Sequence, residues 1–313
     1  MRAARPPRAV SSQAVSALLP GLHGLRSLDL SGCQQLRTLA LPRLRELRAL
    51  TTAWCAGLAE LVVEHCAALR ALRAHGCASL RALVLRGCVE LRTLELSRCS
   101  ALCDGTLGAV VREQPALLVL TVSACAGLRA PELRSASLEE LKCQSARALR
   151  SMALACPRLR VLGLGGCVAL ETLRLLDARV RTDEAHAAGA GQACEPCHAP
   201  QQNGCAPCGA PPPAATDDGE RASAGCAAAP ALARLSNVQL AGCKRLCDDA
   251  IRALLHESPA LVACELRGCS ALAPATLADA SAHCASAASA GGSRRRDADA
   301  ASLARAADTT FLC

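Results

Sequence analysis

Four cysteines in one short stretch have the types and spacing to hold a metal ion. The segment CEPCHAPQQNGCAPC carries Cys194 and Cys197 as one C-x-x-C pair and Cys205 and Cys208 as a second. Four thiolates from two such pairs can surround Zn²⁺ tetrahedrally. The gap of seven residues between the pairs is shorter than in the usual zinc templates. The flanking residues are Ala, Gly, Pro and Gln, with no apolar periodicity to build an element that would orient the thiols. The expectation is a compositionally biased insertion, with zinc as the alternative and no other cofactor. Cys194 to His198 also spells C-x-x-C-H, the attachment string of c-type haem, but no axial partner or aromatic pocket accompanies it.

The remaining cysteines follow another rule. Cys33, Cys55, Cys66, Cys77, Cys88 and Cys99 recur at one point of successive short phrases, where a repeat needs a small buried residue. Burial in an apolar stack raises a thiol's pKa and suppresses its reactivity, so these are expected to pack rather than to react. No secretory apolar segment follows the start MRAARPPRAV, so the thiols are expected to be reduced and the compartment cytoplasmic or nuclear. The early Arg2, Arg5 and Arg8 are compatible with a transit peptide, but a frayed basic terminus is the simpler expectation. There is no G-x-S-x-G, no phosphate loop and no H-E-x-x-H, so no enzyme is expected. The net charge of +8 is not clustered, and one Trp, one Phe and no Tyr supply no stacking platform, which argues against a nucleic-acid partner. No apolar run approaches the ~20 residues of a membrane span.

What positions the ladder cysteines is a repeat. Leucines fall at 25, 36, 47, 58, 69, 80, 91 and 102, an unbroken step of 11 residues. Within each phrase the apolar pairs Leu28/Leu30, Leu39/Leu41, Leu61/Val63, Leu83/Leu85 and Leu94/Leu96 show the period of two of a strand with one buried face. The phrase L-x-x-L-x-L-x-x-C belongs to leucine-rich repeats, whose units are about 20–29 residues. Two phrases then make one coil of 22 residues, odd phrases forming one wall and even phrases the other. Stacked neighbours create the core that one phrase cannot. The step then lengthens. Cys99 to Cys125 and Cys243 to Cys269 are cycles of 26 residues, each with a helix signal: Asp104 or Asp248 as N-cap, an apolar face at 107–111 or 251–255, and a stop at Pro115 or Pro259.

These longer cycles, CSALCDGTLGAVVREQPALLVLTVSAC and CKRLCDDAIRALLHESPALVACELRGC, resemble the cysteine-containing repeats of the F-box/LRR family. Their alternation with 11-residue phrases is similar to the repeat region of the plant SLOW MOTION type of F-box/LRR protein. The resemblance covers residues 25–176 and 231–272. It implies substrate binding for an SCF-type ubiquitin ligase, with the Skp1/cullin assembly as partner through an F-box. That F-box is not visible in this chain, in which 24 residues precede Leu25.

The expected fold is an α/β leucine-rich-repeat horseshoe with parallel strands. It has a β-dominated N-terminal part, a few convex helices, and a disordered insertion and tail. The expected divisions are an N-terminal flank at 1–24, a solenoid at 25–180, the insertion at 181–230, further repeats at 231–280 and the tail at 281–313. On the odd wall Asp29, Thr51, Arg73 and Glu95 should point outward, flanked by Trp54, His75 and Arg98. That wall is the more polar and carries the one Trp, so it is the expected protein-binding surface of a monomer.

Overall fold

The computed structural model describes residues 11–18, 24–41, 43–176 and 232–291. Most of the strands are three residues long. In chain order the elements are α1 (Ser12–Leu18), β1 (Ser27–Asp29), β2 (Thr38–Leu41), β3 (Ala49–Thr51), β4 (Glu60–Glu64), β5 (Ala71–Arg73), β6 (Ala82–Arg86) and β7 (Thr93–Glu95). Then follow α2 (Asp104–Glu113), β8 (Val119–Thr121), β9 (Glu132–Arg134), β10 (Glu140–Lys142), β11 (Ser151–Ala155), β12 (Val161–Gly163) and β13 (Thr172–Leu175). The last four are β14 (Asn237–Gln239), α3 (Asp248–Glu257), β15 (Ala263–Glu265) and α4 (Pro274–Gly291).

The strands stack in parallel and in register as a leucine-rich-repeat-type solenoid. Every second phrase contributes to one sheet of nine strands, β1-β3-β5-β7-β8-β10-β12-β14-β15. Its middle residues pair as Leu28↔Leu50, Leu50↔Leu72, Leu72↔Leu94 and Leu94↔Leu120, and the series continues through Leu141 and Leu162 to Val238. The opposite wall mixes strands and helices. It holds the sheets β2-β4-β6 and β9-β11-β13, with α1 packed on β2, α2 between β6 and β9, α3 on β13 and α4 on α3. Leu50, Leu61 and Leu72 are completely buried and Leu94 is 1 % exposed. Leu28 is only half-buried, because β1 is the sheet's first strand and its outer edge has no neighbour among the described residues. Burying one such leucine contributes about 1.5–3 kcal/mol.

Three expectations need correction. Asp104 and Asp248 do not cap their own helices; Cys103 and Cys247 hold the N-cap positions, with extended backbones and no side-chain cap bond. Instead the Asp104 carboxylate accepts from the Arg129 and Ala130 N–H groups of the next coil at 3.0 and 2.9 Å. Asp248 does the same with the Ala273 N–H at 2.9 Å. Second, within the expected flank the described helix α1 joins the solenoid by packing on β2. Ser12 of α1 accepts from the Arg37 and Thr38 N–H groups, both at 3.2 Å, so α1 repeats the α2 arrangement with a hydroxyl in place of the carboxylate. Third, the tail does not begin at 281. Helix α4 runs to Gly291, burying Thr276, Ala280 and Cys284, which recur every four residues along one face.

Residues 177–231 lie outside the described residues, and with them Cys194, Cys197, Cys205 and Cys208. They leave the long sheet intact: β12 pairs directly with β14, Val161↔Asn237 through Gly163↔Gln239.

Candidate recognition face on the long sheet

The third residue of each long-sheet strand points away from the core. Asp29, Thr51, Arg73 and Glu95 therefore lie side by side, paired in register as the first strands of a column that continues through Thr121 and Lys142. Arg73 Nε reaches Glu95 Oε2 at 3.8 Å, and His75 Nδ1 reaches Glu95 Oε1 at 3.6 Å. These partly exposed contacts orient side chains more than they stabilise the fold. Asp29 accepts hydrogen bonds from both the backbone N–H and the hydroxyl of Ser31.

Beyond each strand the chain turns sharply, always at the same point. Gly32, Trp54, Gly76, Arg98, Ala124, Ser145, Gly166, Gly242 and Gly268 all have positive φ. Each stands immediately before a small buried residue, as Trp54 does before Cys55. In all but the last of these turns the N–H is drawn to the next coil: Trp54 N donates to His75 O and Gly76 N to Ser97 O, both at 2.8 Å. A left-handed conformation costs a non-glycine residue about 1–2 kcal/mol. Trp54 adopts it at φ 61° and is 50 % exposed.

Gly76 makes room for that ring. A Cβ at Gly76 would lie 2.6 Å from Trp54 Cε3. The indole thus rests on the neighbouring turn. His75 meets it edge-on, with ring centroids 5.6 Å apart and planes at 89°. From one coil further on, the Arg98 guanidinium stands 5.6 Å from the indole centroid. Gln34 donates to the Trp54 carbonyl at 3.1 Å. The fold therefore gathers Trp54, Arg73, His75, Glu95 and Arg98 into one patch. Thr51 and Asp29 share the column, with Asp29 held by Ser31. Gly76, the seat of the indole, was not among the sequence candidates; its signal was its place in the Gly-Cys step of the phrase. A second cross-coil contact also escaped the pattern: Gln144 Nε2 donates to Gln239 Oε1 at 3.1 Å across the side-chain-free Gly163.

The thiol ladder is built into the backbone. The Sγ–H groups of Cys55, Cys77, Cys99, Cys125 and Cys243 donate to carbonyl oxygens of the preceding coil at 3.0–3.2 Å. Burial pushes the Cys55 thiol up to about 12 and the Cys77 thiol up to about 11. Cys103 differs: among the described cysteines it alone is exposed. Burial still raises its pKa, but the Thr106 hydroxyl and the Thr106 and Gly105 N–H groups outweigh this, and the net shift is downward. Among the described residues no three His, Cys, Asp or Glu side chains are grouped to hold a metal ion.

The chain is thus a parallel β-solenoid of leucine-rich-repeat type, an architecture compatible with a protein-binding scaffold. No protein-family model matches it, and no curated protein matches its sequence. No described helix is long and apolar enough to cross a membrane.

Proposed function

We propose that this chain is a non-catalytic recognition module whose long sheet docks another protein through the patch around Trp54. One observation carries the reading: a half-exposed indole held in a left-handed turn, seated on Gly76 and flanked by Arg98. Rigid Trp and Arg side chains make effective anchors because little rotamer freedom remains to be lost on binding. Thr51, Arg73 and Glu95 supply polar contacts beside the anchor. By its resemblance to F-box/LRR repeats, the module serves as the substrate-binding part of an SCF-type ubiquitin ligase, as a monomer that joins the Skp1/cullin assembly through an F-box.

Two experiments test this. A photo-crosslinking residue placed at Thr51 should trap a discrete partner in cells, and the Arg73→Glu change should abolish the product. The same residue at Val84 on the opposite wall should trap none; equal products at both sites would refute the docking face. Titration of the full chain with purified Skp1 tests the ligase assignment. Absence of binding would leave a recognition scaffold unconnected to ubiquitin.

A further inference from the structure

At the starting edge of the long sheet, away from Trp54, the second residue of each of the first four odd phrases is an arginine: Arg26, Arg48, Arg70 and Arg92. The backbones of these arginines are locked in register: Arg48 N donates to Arg26 O, Arg70 N to Arg48 O and Arg92 N to Arg70 O, at 2.8–2.9 Å. Neighbouring strands lie about 4.8 Å apart, so the guanidinium groups start from one closely spaced row. All four side chains are exposed.

The chain neutralises every second one. Arg26 Nε meets Glu46 Oε2 at 3.2 Å, and Arg70 Nε meets Glu90 Oε2 at 3.0 Å. Each glutamate stands just before the leucine that opens the next coil, Leu47 or Leu91. At the equivalent places that would serve Arg48 and Arg92, the sequence has Ala68 and Ala116. Neither Arg48 nor Arg92 makes an ion pair among the described residues. The row therefore alternates between matched and unmatched guanidinium groups, and the carboxylates already in it show what kind of group fits between coils.

We infer that the Arg26–Arg92 edge is a docking site for an acidic, extended segment of a protein partner, whose carboxylates pair with Arg48 and Arg92. The inference rests on the reading of the chain as a protein-recognition scaffold and names the chemistry of one partner. A carboxylate can engage a guanidinium through two parallel hydrogen bonds, which gives geometric as well as electrostatic selectivity. A single-stranded nucleic acid fits less well. It would need rings on which bases stack, and Trp54, the one indole or phenyl ring among the described residues, lies at the other end of the strands.

The test uses the full chain and a fluorescein-labelled peptide of about twelve alternating Glu and Ser residues, titrated at about 50 and about 200 mM NaCl. Arg48→Glu combined with Arg92→Glu should weaken binding by about tenfold or more at low salt. The milder Arg48→Ala with Arg92→Ala should weaken it less, and circular dichroism should show both variants folded. Glu46→Gln with Glu90→Gln should strengthen binding by freeing Arg26 and Arg70. Arg147→Glu with Arg150→Glu, at the opposite edge, should leave it unchanged. Equal loss in the Arg147/Arg150 variant, no gain on removing the glutamates, no peptide binding at low salt, or tighter binding of a single-stranded oligonucleotide of matched charge would each overturn the inference. Crosslinking from Thr51 reads the other end of the strands, so failure here and failure of the docking face are separable.

Discussion

The seat of Trp54 sets the first prediction. Gly76→Ala forces an L side chain into φ 75° and drives its Cβ against the indole. It should lower stability by about 1–3 kcal/mol. Adding Trp54→Ala should restore part of that loss, which chemical denaturation of the single and double variants will measure. Among the thiols, ladder members should resist alkylation because they are buried out of reach of the reagent, whereas exposed Cys103 should be modified first among the described cysteines. Mass spectrometry of briefly alkylated native protein reads that order. Asp248 carries a pH signature. The Thr276 side chain and the Ala273 N–H hold its carboxyl below the usual range. A group whose pKa falls on folding stabilises the protein above its unfolded pKa, and that contribution disappears as pH drops through the folded value. Asp248→Asn should therefore reduce the difference in thermal midpoint between pH 7 and about pH 3.

At the level of elements, the helices are held from both sides. On α2, Thr106 Oγ1 donates to Arg81 O, and Gln114 Nε2 at its C-cap donates to Leu85 O of the preceding coil, while Asp104 takes two N–H groups of the following one. Asp104→Ala leaves those two donors unmatched and should cost about 1.5–3 kcal/mol in a denaturant titration. The strands were legible in the chain because Leu-x-Leu with a fixed step admits one register: a slip by one residue would bring Asp29, Arg73 and Glu95 into the core. The helix positions at 107–111 and 251–255 were legible from their apolar faces and the prolines at 115 and 259 that follow them. What Asp104 and Asp248 do was not, because a partner 25 residues away is set by coil stacking, and local capping rules cannot see it. Helix α1 was hidden because Ser12 replaces the aspartate and Pro20 comes soon after the helix. Helix α4 was hidden because its buried face is Thr276, Ala280 and Cys284, too small to register as apolar periodicity. Within the patch, the outward column followed from the period of two; the indole resting on Gly76 depended on a backbone dihedral that residue type alone does not specify.

For the molecule as a whole, stability is distributed along the stack, since the backbone of each coil pairs only with its neighbours. Removing residues 181–230 should leave the long sheet intact, because β12 already pairs with β14; far-ultraviolet circular dichroism and the thermal midpoint should change little. A core truncation should act differently. Leu61→Ala, in the middle of a sheet and fully buried, should cost about 2–5 kcal/mol. The whole account depends on neighbouring coils lying in parallel with Leu50, Leu72 and Leu94 in line. Nuclear Overhauser contacts between backbone amides in deuterated protein test this most directly. Cross-strand contacts linking the Leu50, Leu72 and Leu94 strands in that order are the expected result, and an antiparallel pattern or a pairing of the Leu50 strand with the Leu61 strand would contradict it.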